Sequence, residues 1–154
     1  ALKGQAGRAN ARLAYQDWEE VLSTRRWRGR ADEGAHTQRP LWASTGVKNP
    51  DYSPTMYVDQ LVAHDIVNTM PLGTLEAVIA QGQITGDTIA GTEAAADELF
   101  DRLEELGISY TEVTEQLEHE GLSKFDASWD ELQGRINDEL ARAAASDSEA
   151  EAGQ

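Results

Sequence analysis

The stretch Arg39-Pro40-Leu41-Trp42-Ala43-Ser44-Thr45-Gly46-Val47-Lys48-Asn49-Pro50 decides the fold. From Pro40 to Thr45 it is a short apolar run with turn formers on both sides, which predicts a strand. Its apolar residues are continuous rather than alternating, the pattern of a strand covered on both faces. A loop rich in turn formers follows (Gly46, Asn49, Pro50, Asp51, Ser53, Pro54), then a short helical or irregular piece from Thr55 to Val62. A second strand is predicted over Asp65-Ile66-Val67-Asn68-Thr69, with Pro71 closing it off.

Outward from these strands the pattern turns helical. Residues 5–28 carry Ala14, Trp18, Val21 and Leu22 at three- and four-residue spacing. A polar connector bracketed by Gly29 and Gly34 leads to Pro40. Downstream, Thr74 to Gln81 places Leu75, Val78 and Ile79 on one face and stops at Gly82. Thr92–Leu106 turns Leu99, Phe100, Leu103 and Leu106 inward, and Gly107 closes it. Ser109-Tyr-Thr-Glu112 has the form of a capping box, with a helix expected to end at Gly121. A last helix carries Leu122, Phe125, Trp129, Leu132, Ile136 and Leu140. Residues 143–154 collapse to Ala, Ser, Glu, Asp and Gly and are expected to be a disordered acidic tail.

The fold class is therefore α/β, mostly helical, with two parallel strands. Two strands cannot bury both faces of a parallel sheet, and no convincing third is present. Ile84-Thr-Gly-Asp-Thr-Ile89 is too rich in Gly and Thr for that role. A piece of something larger is expected, and an opening Ala1 in place of Met fits that expectation.

Composition narrows the function. The 154 residues hold 13 basic and 28 acidic groups, a net charge of −15, and no cysteine. Disulfides, thiolate zinc sites and a cysteine nucleophile are ruled out, and a cytoplasmic, reducing setting is expected. Residues 1–48 carry about +4 and the remainder about −19, so nucleic acid and anionic membranes are repelled at long range. The run Arg25-Arg26-Trp27-Arg28-Gly29-Arg30 reads as a solvated helix terminus, where cations offset the dipole of the last turn, in preference to a nucleic-acid patch. No apolar run approaches the ~20 residues of a membrane span. His36, His64 and His119 share no ligand spacing, so no metal site is expected.

At Arg39–Pro50 and Val67-Asn68-Thr69-Met70-Pro71, with Arg8-Ala-Asn-Ala-Arg-Leu-Ala-Tyr15 before and Lys124-Phe-Asp-Ala-Ser-Trp-Asp-Glu-Leu132 after, the chain closely resembles the transaldolase family. The likeness is strongest to a bacterial branch seen in actinomycetes and cyanobacteria, and it runs from about Leu2 to Leu140. It implies the C-terminal part of a (β/α)8 barrel, covering residues 1–142, with strands seven and eight at Pro40–Thr45 and Asp65–Thr69. It implies transfer of a dihydroxyacetone unit from sedoheptulose 7-phosphate to glyceraldehyde 3-phosphate through a lysine Schiff base, with no cofactor. That lysine is expected upstream on the fourth strand, so these residues alone contain no catalytic group and are expected to be inactive. The alternative is a non-enzymatic, acidic helical interaction module built on Trp18, Trp129 and Leu132.

The resemblance implies a substrate-phosphate role for Ser44, and barrels commonly hold phosphate with the loops after strands seven and eight. The alternative is a strand-end serine that satisfies its own turn, and the phosphate role is the preferred reading. Lys48 stands where a short insertion would realign it with a family arginine that follows the serine, next to Asn49. Lysine grips phosphate as a point charge, whereas arginine binds bidentately. A solvated loop lysine is the other reading; a Schiff-base role fits poorly, because a Gly/Asn/Pro loop offers little desolvation. Asn68 and Thr69 close strand eight and are expected to line the barrel mouth.

Overall fold

A computed structural model describes residues 2–152, with side chains described through Ala143. The element order is α1 (Ala6–Ser23), α2 (Arg25–Asp32), β1 (Leu41–Trp42), α3 (Met56–Asp59), β2 (Val67–Asn68), α4 (Leu72–Gln81), α5 (Glu93–Glu105) and α6 (Tyr110–Ala152). The fold is mostly helical with two parallel strands, paired Leu41 to Val67 and Trp42 to Asn68. The chain divides into two units, Ala1–Gly107 and Ile108–Gln154.

The strands are shorter than the apolar runs suggest, for a backbone reason. Asp65 and Ser44 both adopt left-handed conformations, with φ of 56° and 54°. Asp65 delays the start of β2, and Ser44 turns the chain just past β1. Bonding still spans the expected segment: Val67 N–H donates to Pro40 O at 2.9 Å, Thr69 N–H to Trp42 O at 2.9 Å, and Thr45 N–H to Thr69 O at 3.3 Å.

The first unit has two buried clusters, with α1 between them. Ala9 and Leu13 meet Ala96, Leu99, Phe100 and Leu103 of α5, an i, i+3, i+4, i+7 face. One turn around α1, Ala11, Tyr15 and Trp18 pack with Trp42, Leu61 and Ile89. Polar tips of the aromatic residues find carbonyls: Tyr15 Oη donates to His64 O (3.2 Å), Trp42 Nε1 to Leu61 O (3.1 Å) and Trp18 Nε1 to Gln38 O (2.7 Å). Trp18 is therefore engaged within its own unit. Burial, followed by the charges of Glu19, Asp87 and Asp65, raises the Tyr15 phenol above its ordinary value.

Several expected features need correction. The single helix over 5–28 is two, because Thr24 takes an extended ψ of 150° and its side chain accepts from Trp27 N. Arg25 and Arg26 thus open α2, where its dipole disfavours cations, and only Arg30 occupies the last turn. Ala14 and Val21 face solvent, because the buried stripe of α1 is centred on Tyr15. Pro71 serves as the N-cap of α4, which begins at Leu72 instead of Thr74. The expected inward face of α4 is open: Leu75 and Ile79 are exposed, and so is Leu106 beyond α5.

The second unit is α6. Ser109 caps it, accepting from Glu112 N through Oγ at 3.4 Å. Gly121 lies inside the helix instead of ending it, at an interior cost of about 1 kcal/mol that the flanking helix formers absorb. Pairs one turn apart line its surface, Glu120 with Lys124 (3.6 Å), Glu131 with Arg135 (2.7 Å) and Glu139 with Arg142. Leu122, Phe125, Trp129, Leu132, Ile136 and Leu140 form a heptad-spaced stripe that is exposed. The backbone of the tail expected from residue 143 continues α6 to Ala152, while its side chains from 144 onward and residues 153 and 154 lie outside the described residues. No helix among the described residues is long and apolar enough to cross a membrane.

Candidate functional site

Parallel pairing brings the two post-strand segments to the same end of the sheet. Between them lies a cavity of about 570 Å³ lined by Ser44, Gly46, Val47, Lys48 and Pro54 after β1, and by Pro71, Gly73 and Thr74 after β2. Ser44 and Lys48 therefore share one cavity, and Lys48 is the charged side chain of that lining. Lys48 is exposed and makes no ion pair among the described residues.

The left-handed φ of Ser44 is uncommon for a residue with a Cβ and costs on the order of 1–2 kcal/mol. Thr45, next in the chain, is buried, and its hydroxyl donates to Asn68 Oδ1 at 2.7 Å. That bond anchors the loop directly behind Ser44. The Ser44 hydroxyl itself makes no hydrogen bond among the described residues, so it does not satisfy its own turn. It is available to a ligand.

At Gly46 the two segments run close together. A Cβ there would sit 3.2 Å from Pro71 Cγ and 3.4 Å from Thr74 Oγ1. The opposite wall is the first turn of α4, whose early N–H groups have no intrahelical acceptor and whose dipole adds partial positive charge. A lysine, a free hydroxyl and a helix N-terminus in one cavity favour an anion. Among the described residues no cluster of His, Cys, Asp or Glu could hold a metal ion, and all three histidines are exposed.

Asn68 and Thr69 are placed differently. The Asn68 carboxamide faces into the fold: Oδ1 accepts from Thr45 and Nδ2 donates to Tyr57 O at 3.2 Å. Thr69 is exposed, with Oγ1 3.4 Å from Trp42 O. Neither residue lines the Ser44–Lys48 cavity. Asn68 instead ties β2, α3 and the loop after β1 together. Sequence reasoning passed over Gly46 and Thr74; the signal was Pro71 at a helix start with a hydroxyl three positions on.

A second cavity of about 520 Å³, lined by Ser53, Thr55, Asp59, Gln60, Gln81 and Gln83 among others, is polar but internally satisfied. Asp59 Oδ2 accepts from Thr55 Oγ1 at 2.5 Å and Oδ1 from Gln83 N at 3.2 Å.

Comparison with known proteins gives a consistent result. The family model described as Transaldolase/Fructose-6-phosphate aldolase matches residues 1–136. A protein named Transaldolase from Mycolicibacterium smegmatis is 55% identical over 141 residues, 89% of this chain and 38% of the relative. One of the same name from Renibacterium salmoninarum is 55% identical over 149 residues, 97% of this chain and 40% of the relative. Another, from Mycobacterium tuberculosis, is 56% identical over 132 residues, 85% of this chain and 35% of the relative. The chain thus spans about two fifths of the length of the curated relatives it matches.

Proposed function

The chain belongs to the transaldolase/fructose-6-phosphate aldolase family, and from that premise we propose that it is the closing portion of a (β/α)8 barrel transaldolase, supplying part of the substrate-phosphate site. The whole enzyme moves a dihydroxyacetone unit from sedoheptulose 7-phosphate to glyceraldehyde 3-phosphate in the cytoplasm. The observation that carries this reading is the cavity at the C-terminal ends of β1 and β2, which holds Ser44 and Lys48 together. Barrel enzymes commonly place phosphate at that point, against the loops after the last two strands and a helix N-terminus.

In this reading the reactive lysine belongs to the part of the relatives that this chain does not span. Its neutral amine forms an imine with the donor ketone, releasing water. The protonated imine then accepts the electron pair of the breaking carbon–carbon bond and becomes an enamine, while the other half of the donor gives its hydroxyl proton to a base and leaves as the aldehyde erythrose 4-phosphate. The retained three-carbon unit adds to the acceptor aldehyde, and hydrolysis returns the amine. Ser44 and Lys48 hold the terminal phosphate far from the reacting carbons. Such remote binding energy positions the substrate at the chemistry. The two strands expose both ends of an unfinished sheet, and the apolar faces of α4 and α6 supply surfaces for the rest of a barrel to cover.

The test is a chimera in which the unmatched portion of the Mycolicibacterium smegmatis relative precedes residues 1–154. Transaldolase activity and a borohydride-trapped lysine adduct are expected. Ser44→Ala and Lys48→Met are expected to raise KM for glyceraldehyde 3-phosphate about tenfold each, the scale of a lost charge-assisted hydrogen bond, and to leave adduct formation with unphosphorylated donor unchanged. Equal KM values in all three proteins refute the phosphate role.

A further inference from the structure

We infer that Thr74, in the first turn of α4, is a third donor to the anion held by Ser44 and Lys48, so that the site reads the phosphate from both post-strand segments. This rests on the phosphate reading of the cavity and extends it to a residue on the opposite wall. Thr74 lines the same cavity as Ser44 and Lys48 yet is only 8% exposed. Its backbone N–H is committed to Pro71 O at 3.0 Å. Its hydroxyl makes no hydrogen bond among the described residues. That hydroxyl is not among the buried unpartnered polar atoms, so it opens onto the cavity, where a ligand can bond it.

Gly46 places that hydroxyl. Thr74 Oγ1 lies 3.4 Å from where a Gly46 Cβ would stand, so the hydroxyl sits on the side of α4 that meets the loop carrying Lys48. The absence of a side chain at position 46 leaves the hydroxyl uncovered on that side. Gly73 sits beside it on the lining, with an N–H near the helix start that has no intrahelical acceptor. A tetrahedral oxyanion presents oxygens in several directions at once. Lys48 supplies charge, Ser44 a hydroxyl from the β1 side, and Thr74 a hydroxyl from the α4 side, which together suit a phosphomonoester better than a planar carboxylate.

The experiment titrates inorganic phosphate into the 154-residue chain, following amide and hydroxyl-bearing side-chain NMR signals, with acetate as the planar comparison. The variants are Thr74→Val, which keeps the shape and removes the hydroxyl, and Thr74→Ser, which keeps the hydroxyl. Unchanged Trp42 and Tyr15 ring signals establish that each variant retains the fold. The same variants in the chimera give KM for glyceraldehyde 3-phosphate. The expected result is a five- to tenfold weakening of phosphate affinity, and the same rise in KM, for Thr74→Val, with Thr74→Ser close to the parent and acetate binding insensitive to either. Parent-like behaviour of Thr74→Val in both assays, while Lys48→Met remains impaired, overturns the assignment of Thr74 and leaves the cavity reading standing. Loss in Thr74→Val with equal loss in Thr74→Ser assigns the residue to packing and also overturns it. Failure of the parent to bind phosphate in either form overturns the cavity reading itself.

Discussion

Replacing Asn68 with alanine removes the side chain that couples β2 to the segment carrying Ser44. Two bonds are lost: Thr45 Oγ1–H to Oδ1 at 2.7 Å and Nδ2–H to Tyr57 O at 3.2 Å. The Thr45 hydroxyl keeps an alternative acceptor in Thr69 O at 3.3 Å, so it is weakened without being orphaned. The Tyr57 carbonyl loses the Asn68 donor in a half-buried setting. At about 1 kcal/mol for each net hydrogen bond, with the first only partly lost, the expected loss is about 1–2 kcal/mol. A double-mutant cycle with Thr45→Val isolates the 2.7 Å contact, with an expected coupling of about 0.5–1.5 kcal/mol. The assay is urea unfolding followed by tryptophan fluorescence. Asn68→Asp sharpens it, because Oδ1 survives as an acceptor while an oxygen replaces the donor facing the Tyr57 carbonyl. That variant is expected to be less stable than Asn68→Ala at neutral pH and to recover below pH 4, where a protonated carboxyl donates again. A loss under 0.5 kcal/mol for Asn68→Ala, or a coupling of zero, refutes the bridging role.

Other expectations follow from the same structure. Asp87 accepts from Ile89 N (2.8 Å) and Ala90 N (3.0 Å), and these bonds hold its carboxyl below the ordinary value. Its contribution to stability is complete above the unfolded-state value of about 3.9 and is lost as pH falls through the lower folded value; Asp87→Asn should flatten acid unfolding curves in that window. Ile89 is fully buried, so Ile89→Ala should cost about 2–5 kcal/mol by urea midpoint. The Nε atoms of Arg8 and Arg12 are buried without acceptors, and Arg12 is lowered by burial and by Arg8. Arg8→Met should therefore stabilise the chain by about 1 kcal/mol, read from the same midpoint. Ser44→Ala should leave stability within about 0.5 kcal/mol, since the hydroxyl is unbonded and exposed, while weakening phosphate binding.

What the sequence made legible follows from which signals are local. Pro40–Thr45 and Asp65–Thr69 were readable because the apolar content and bounding turn formers of a strand are written within six residues. The ladder bonds from Pro40 to Thr45 fall where that reading puts them. The exact ladder was not readable, since it depends on φ at Ser44 and Asp65, and neither residue is a glycine that would advertise a left-handed turn. The break at Thr24 was hidden for a similar reason: threonine is tolerated in a helix, and only its use as the α2 cap reveals the boundary.

Periodicity shows that a face is apolar without saying what covers it. Leu75 and Ile79 on α4, and Leu122 through Leu140 on α6, have the spacing of buried residues and are exposed. Among the relatives, the same faces belong to proteins more than twice as long as this chain, which is the condition under which such spacing has a surface to meet. The site divides along the same line. Ser44 and Lys48 were readable as neighbours of a strand end, and both line one cavity there. Thr74 was not, because a hydroxyl at a helix start reads equally well as a cap, and its isolation from every acceptor emerges only when Gly46 and Pro71 bring the two segments together. The two residues after β1 thus reach the cavity through sequence-local placement, whereas Thr74 joins them there only through the parallel pairing of β1 and β2.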